Sequence, residues 1–193
     1  MPKKQVKKNW IMIKQADAFF KILYWFFSYP NNLIGLNDLS KKAGISKTST
    51  NRIINLLSSK GFLTIEKIGG AWRIALNQTH PYNTNLKIPF NLGLIYDSGI
   101  INRILEKMPN AKSVILFGSY RKGDDTDKSD LDIAVEVNGN DELKIINFEK
   151  IQIGYRKNVE VKLHIFSRKN IDLNLFANII NGIVLHGFIE AKP

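Results

Sequence analysis

The sequence predicts two domains: a mainly α N-terminal domain closed by a β-hairpin, and a C-terminal α/β (α+β) domain with a mixed sheet. Three observations predict this. First, at about 100–200 residues per domain, 193 residues make one ordinary domain or two small ones. Second, the charge is unevenly placed. The chain holds 28 Lys and Arg against 17 Asp and Glu, a formal net charge of +11. Residues 1–92 carry 14 basic and 3 acidic residues, and residues 93–193 carry 14 of each. That asymmetry predicts two modules with different partners. Third, helical periodicity followed by paired alternating segments fills the first half, whereas strand-type runs dominate the second.

Composition narrows the options. At 44% hydrophobic and 23% charged, the chain can bury a core. Zero cysteines exclude a disulfide scaffold, a thiolate metal site and a cysteine nucleophile. Residues 1–8 are basic but lead into no small-residue cleavage site. The apolar run 18–27 is interrupted by Lys21 and falls short of the roughly 20 residues a bilayer requires. The expectation is a cytoplasmic protein with no membrane partner.

Taken in order, Ala16, Phe19, Phe20, Leu23, Phe26 and Phe27 recur at helical spacing and predict a helix from about Lys14 to Ser28. Pro30 and Asn31-Asn32 stop it. Its aromatic excess leaves two readings open: a homodimer interface, or core plus contact with the second half. A short second helix follows, with Asn37 as its cap and Gly44 as the turn after it. Ser46 caps a third helix with Ile53, Leu56 and Leu57 inward, ending at Lys60-Gly61. Segments 62–68 and 71–76, joined at Gly69-Gly70, predict a hairpin.

Residues 77–85 are polar, contain Pro81 and lack periodicity, so 78–92 is expected to be a linker. Leu92 to Met108 reads as one helix ended by Pro109. Val114 to Phe117 is a buried-type strand running into Gly118-Ser119, then an acidic turn at 124–127. In the next strand, 129–137, Leu131, Ile133, Val135 and Val137 point one way. Asp130 and Asp132 point the other way, side by side, because strand side chains have period two. Adjacent carboxylates repel unless a cation joins them, and oxygen ligands suit Mg²⁺ or Mn²⁺. Residues 141–156 read as a helix, and 158–166 as a strand that puts Glu160 opposite its apolar positions. His80, His164 and His186 have no zinc or triad spacing. His164 shares the Glu160 face and reads first as an ordinary polar-face histidine.

The order helix, helix, turn, helix, hairpin, with the run LNDLSKKAGISKTSTNRIINLLSSKGFLTIEK, resembles the winged helix-turn-helix family over residues 12–77. The resemblance implies double-stranded DNA as partner, with the start of the third helix in the major groove. The residues reaching base edges would be Lys47, Thr48, Ser49, Asn51 and Arg52. Lys67 and Arg73 would act at the wing, and Lys41, Lys42 and Lys60 on phosphates. The competing reading is a basic face on an interaction module.

In the second half, LFGSYRKGDDTDKSDLDIAV places Gly118-Ser119 ten residues before Asp130-Leu131-Asp132. This resembles the DNA polymerase beta-type nucleotidyltransferases, closest to their minimal branch, and NIINGIVLHGF at 178–188 resembles that branch's terminal helix and strand. The likeness covers about residues 95–190, and 93–190 is the expected domain. It implies transfer of a nucleoside monophosphate from an NTP, ATP first among them, with Mg²⁺ or Mn²⁺ held by Asp130, Asp132 and Glu160. Gly118, Ser119, Arg121 and Lys122 would hold the triphosphate. Two departures stand out: Arg121-Lys122 replaces the usual Ala-Arg, and Glu160 replaces the usual Asp. The resemblance also permits a DNA-binding regulator or antitoxin-like protein acting on a HEPN-type toxin. Small-molecule modification, as in aminoglycoside nucleotidyltransferases, leaves the basic half without a use.

Overall fold

The computed structural model describes residues 17–139 and 142–190. Helix α1, Ala18–Ser28, starts where Asp17 accepts the Phe20 N–H at 3.0 Å. The expected start at Lys14 and the stripe residue Ala16 lie outside the described residues. The buried set is wider than the expected stripe: Ile22, Leu23, Trp25, Phe26 and Phe27 are all buried, whereas Phe20 is 43% exposed. The helix packs on two sides, which a single stripe does not anticipate. Phe26 and Phe27 meet Phe62, and Tyr24 and Phe27 meet Phe90.

Helix α2, Leu36–Ala43, begins before Asn37, and its N-cap is Gly35. A bridge between Ile34 and Ile74 delivers the chain in extended form at that point, so Asn37 is inside the first turn. Gly44 ends the helix at φ +64°, a left-handed conformation suited to glycine. Helix α3, Lys47–Ser59, is capped by Ser46 as expected. Its buried positions are Thr50, Ile54 and Leu57, not Leu56, which is 45% exposed. Thr50 can be buried because its hydroxyl donates to the Ser46 carbonyl at 3.0 Å. Strands β1, Leu63–Ile68, and β2, Ala71–Leu76, pair antiparallel around Gly69-Gly70, both at positive φ.

The stretch expected to be a linker is partly helical. Helix α4 covers Tyr82–Asn85, and α5 covers Lys87–Asp97. The single helix expected over 92–108 is broken at Ser98-Gly99, with Gly99 at φ +69°, and resumes as α6, Ile100–Lys107. Polar Lys87 and Asn91 lie on the buried face of α5 beside Phe90 and Leu94, which disguised its periodicity.

The second half is a five-stranded mixed sheet in the order β5-β6-β4-β3-β7. The strands are β3, Ser113–Leu116; β4, Leu131–Glu136; β5, Lys144–Ile153; β6, Arg156–Phe166; and β7, Ile183–Gly187. Short helix α7, Gly118–Lys122, follows β3, and α8, Leu173–Ile180, precedes β7. Only the β4–β6 pairing is parallel among these strands. The helix expected over 141–156 is instead strand β5 and its turn. Isoleucines at 145, 146, 151 and 153 favour strand, and Gly154 at φ +61° opens a two-residue loop before Arg156.

One hydrophobic cluster runs from α1 through α5 into the sheet. The Tyr24 and Phe90 rings stack at 4.1 Å, Tyr29 donates to the Tyr155 carbonyl at 3.0 Å, and the Tyr155 N–H donates to Ser28 Oγ at 3.1 Å. Much of the aromatic surface of α1 therefore serves the core and contact with the second half. A smaller cluster of Ile115, Phe117, Ala134, Phe166 and Ile179 lies under α8. Among the described residues, no helix is long and apolar enough to cross a membrane.

Candidate functional site

The parallel register of β4 and β6 builds the site. Leu131 lies opposite Val161, Asp132 opposite Lys162, and Ala134 opposite His164. Leu131, Ile133, Val161 and Leu163 are buried on one face of the sheet. Period two then puts Asp132 and, from β6, Glu160, Lys162 and His164 on the other face. Asp130, just before β4, joins them: its Oδ2 is 2.6 Å from Lys162 Nζ. Asp132 Oδ1 is 3.1 Å from His164 Nε2.

These carboxylates are therefore partnered by cationic or proton-donating side chains. The hydrogen bond and charge of Asp130 raise the Lys162 pKa above its usual value, and Asp132 and Glu160 add to the effect. Glu160 shares the face by strand period. Among the described residues, no group of three His, Cys, Asp or Glu side chains is close enough to hold a metal ion.

Gly118-Ser119 lies against this face. Gly118 has φ +70°, and a Cβ added there would lie 2.8 Å from Asp132 Oδ2. The Phe117 N–H donates to the Asp132 carbonyl at 3.2 Å, tying the start of α7 to β4. Ser119 and Arg121 are half-buried, and Lys122 is exposed.

Sequence reasoning missed the anchor beneath the loop. Asp125, one of three acids in the expected acidic turn, is 1% exposed. Its carboxylate lies 3.2 Å from Lys87 Nζ and 3.0 Å from Arg156, and it accepts from Asn91 at 2.7 Å. Arg156 also donates to the Thr126 carbonyl and lies over the Tyr120 ring. Burial pushes the Lys87 pKa down, and Asp125 opposes that shift. Burial likewise raises the Tyr120 pKa. The legible signal was Lys87 and Asn91 four residues apart on an otherwise apolar stripe. Nothing in the string DDTD says which acid turns inward.

In the first half, Lys47, Thr48 and Arg52 are exposed along the start of α3, while Ser49 and Asn51 are half-buried. Asn51 accepts from Asn55 at 2.8 Å. Near the hairpin tip, Lys67 lies 4.9 Å over the Trp72 ring, and Arg73 is 3.9 Å from Glu66. The structure groups these residues on one helix end and one hairpin, apart from the carboxylates on β4. An apolar cleft of about 920 Å³ lies between α8 and β7, lined by Leu173, Phe176, Ile180, Val184 and Phe188, and none of the three carboxylates lines it.

Comparison with known proteins agrees with the second half. Residues 100–187 match the family model described as Polymerase beta, Nucleotidyltransferase. A Methanocaldococcus jannaschii protein carrying the name "Putative protein adenylyltransferase" is 32% identical over 69 residues, which is 36% of this chain and 69% of that protein.

Proposed function

Because the chain belongs to the polymerase beta nucleotidyltransferase family, we propose that it transfers a nucleoside monophosphate from an NTP, ATP first among them, to an acceptor hydroxyl and releases pyrophosphate. The observation that supports this reading is the β4–β6 register, which sets Asp132 level with Lys162, the partner of Asp130, while Asp132 also lies beside Gly118. The relative's name favours a protein as the acceptor.

Asp130 and Asp132 fit a Mg²⁺ or Mn²⁺ ion. They are hard oxygen donors on a half-exposed face that already draws a cation, Lys162, and a ring N–H donor, His164. They would hold the ion, and Glu160, on the same face, would be the third carboxylate available to it. When bound, it would neutralise charge on the triphosphate and on the departing pyrophosphate. The chain's own groups do the rest. Gly118, lacking a side chain, lets the turn pack directly against Asp132, and Ser119 donates its hydroxyl to a phosphate of the triphosphate. Arg121 and Lys122 bind the triphosphate tail. Glu160 accepts the acceptor hydroxyl's proton as the new oxygen–phosphorus bond forms at the α-phosphate. The bond to the bridging oxygen breaks, and pyrophosphate leaves with its electron pair. Positioning and charge compensation carry such a transfer.

The N-terminal helices and hairpin we read as a winged helix-turn-helix that binds duplex DNA. The exposed Lys47, Thr48 and Arg52 and the concentration of the +11 charge in residues 1–92 support this.

The full chain incubated with α-labelled ATP, Mg²⁺ and a cell extract as acceptor source is expected to label a macromolecule and release pyrophosphate. Asp130→Ala combined with Asp132→Ala should abolish both signals. Undiminished labelling by that double variant would remove the assignment.

A further inference from the structure

On the reading above, Asp132 is a ligand, and a ligand carboxylate must be held in one rotamer. The two oxygens of Asp132 have different neighbours. Oδ2 faces the space that the missing Cβ of Gly118 leaves open. Oδ1 lies 3.1 Å from His164 Nε2. An ionised carboxylate can only accept, so Nε2 carries the proton and donates. The ring is confined by burial and by Phe117, which packs edge-on against it at 4.9 Å between centroids, while its Nδ1 is buried with no hydrogen-bond partner among the described residues, leaving Asp132 as the partner of Nε2. Phe117 immediately precedes Gly118, so one contact chain links the glycine turn, the imidazole and the carboxylate.

We propose that His164 is a positioning residue for the nucleotidyl-transfer site: its Nε2–H holds Asp132 Oδ1 so that Oδ2 stays beside Gly118, presented to a divalent ion. This proposal rests on the function assigned above. Outer-shell donors of this kind typically change metal affinity by about 10–100-fold. The ring reaches Asp132 only through Nε2. A glutamine amide nitrogen falls near the same place, an asparagine amide stops near Nδ1, and leucine has a side chain but no donor.

The test titrates Mn²⁺ alone into the full-length protein, followed by electron paramagnetic resonance, with thermal melts to confirm folding. His164→Leu and His164→Asn are expected to weaken Mn²⁺ binding by about 10-fold or more, whereas His164→Gln stays within about 3-fold of the parent. A purely structural histidine would lower melting temperature in all three without that ordering. Wild-type affinity in the leucine variant, or equal loss in the glutamine variant, would overturn the proposal. Asp132→Asn is run beside them. If it also binds like the parent, or if the parent binds no Mn²⁺, the ligand reading of Asp132 itself fails, and the proposal fails with it. Loss on Asp132→Asn with none on His164→Leu overturns the positioning role alone.

Discussion

Asp125 shows how one side chain can anchor a working loop. Its carboxylate collects Lys87 from α5, Asn91 one turn later, and Arg156 from the start of β6, all with almost no exposure. The loop it anchors leads directly to Asp130. A buried pair is weak evidence of net stability, but removing one partner leaves the others charged and dry. Asp125→Ala is expected to destabilise the protein by about 3–5 kcal/mol, read from the urea midpoint. Lys162 illustrates the opposite regime. It pairs with Asp130 at 2.6 Å while remaining about one-third exposed, so its role concerns charge at the site more than stability.

At the scale of elements, the β5–β6 hairpin brings Lys162 and His164 to the aspartates, and its turn depends on Gly154. That residue has φ +61°, and a Cβ there would meet Ser28 Oγ at 2.5 Å. Gly154→Ala should cost about 1–2 kcal/mol from the left-handed backbone alone, with further loss from the displaced Ser28. Equilibrium denaturation would read it as a lowered midpoint, and an unchanged midpoint would contradict the packing described. This element also marks where the sequence was hardest to read. Strands β4 and β6 were legible because Leu131, Ile133 and Val135 recur at every second position in one, and Val159, Val161 and Leu163 alternate with polar residues in the other. Strand β5 was not, because adjacent Ile145 and Ile146 and an interrupted register blur its period. The glycine turn and the aspartate pair were plain from spacing. The partners of those aspartates were not, since they depend on which strand lies beside β4 and in which direction.

At the scale of the molecule, the charge imbalance makes a prediction of its own. If the first half reads duplex DNA, binding must release counterions, and affinity should fall steeply and log-linearly with salt. Lys47→Ala with Arg52→Ala should reduce both the affinity and that slope in a fluorescence-anisotropy titration, whereas Asp130→Ala should leave both unchanged. Equal binding by the Lys47, Arg52 double variant would remove α3 as the reading element. The apolar cluster that runs from α1 into the sheet has a consequence for the handling of this protein. A chain of two interchangeable cassettes would join them through a wet seam. Here, cutting after the hairpin would strip Tyr24 and Phe27 from Phe90, and Ser28 from Tyr155, leaving a greasy scar on each fragment. The two halves share one core, so either made alone would put those rings and polar groups into water.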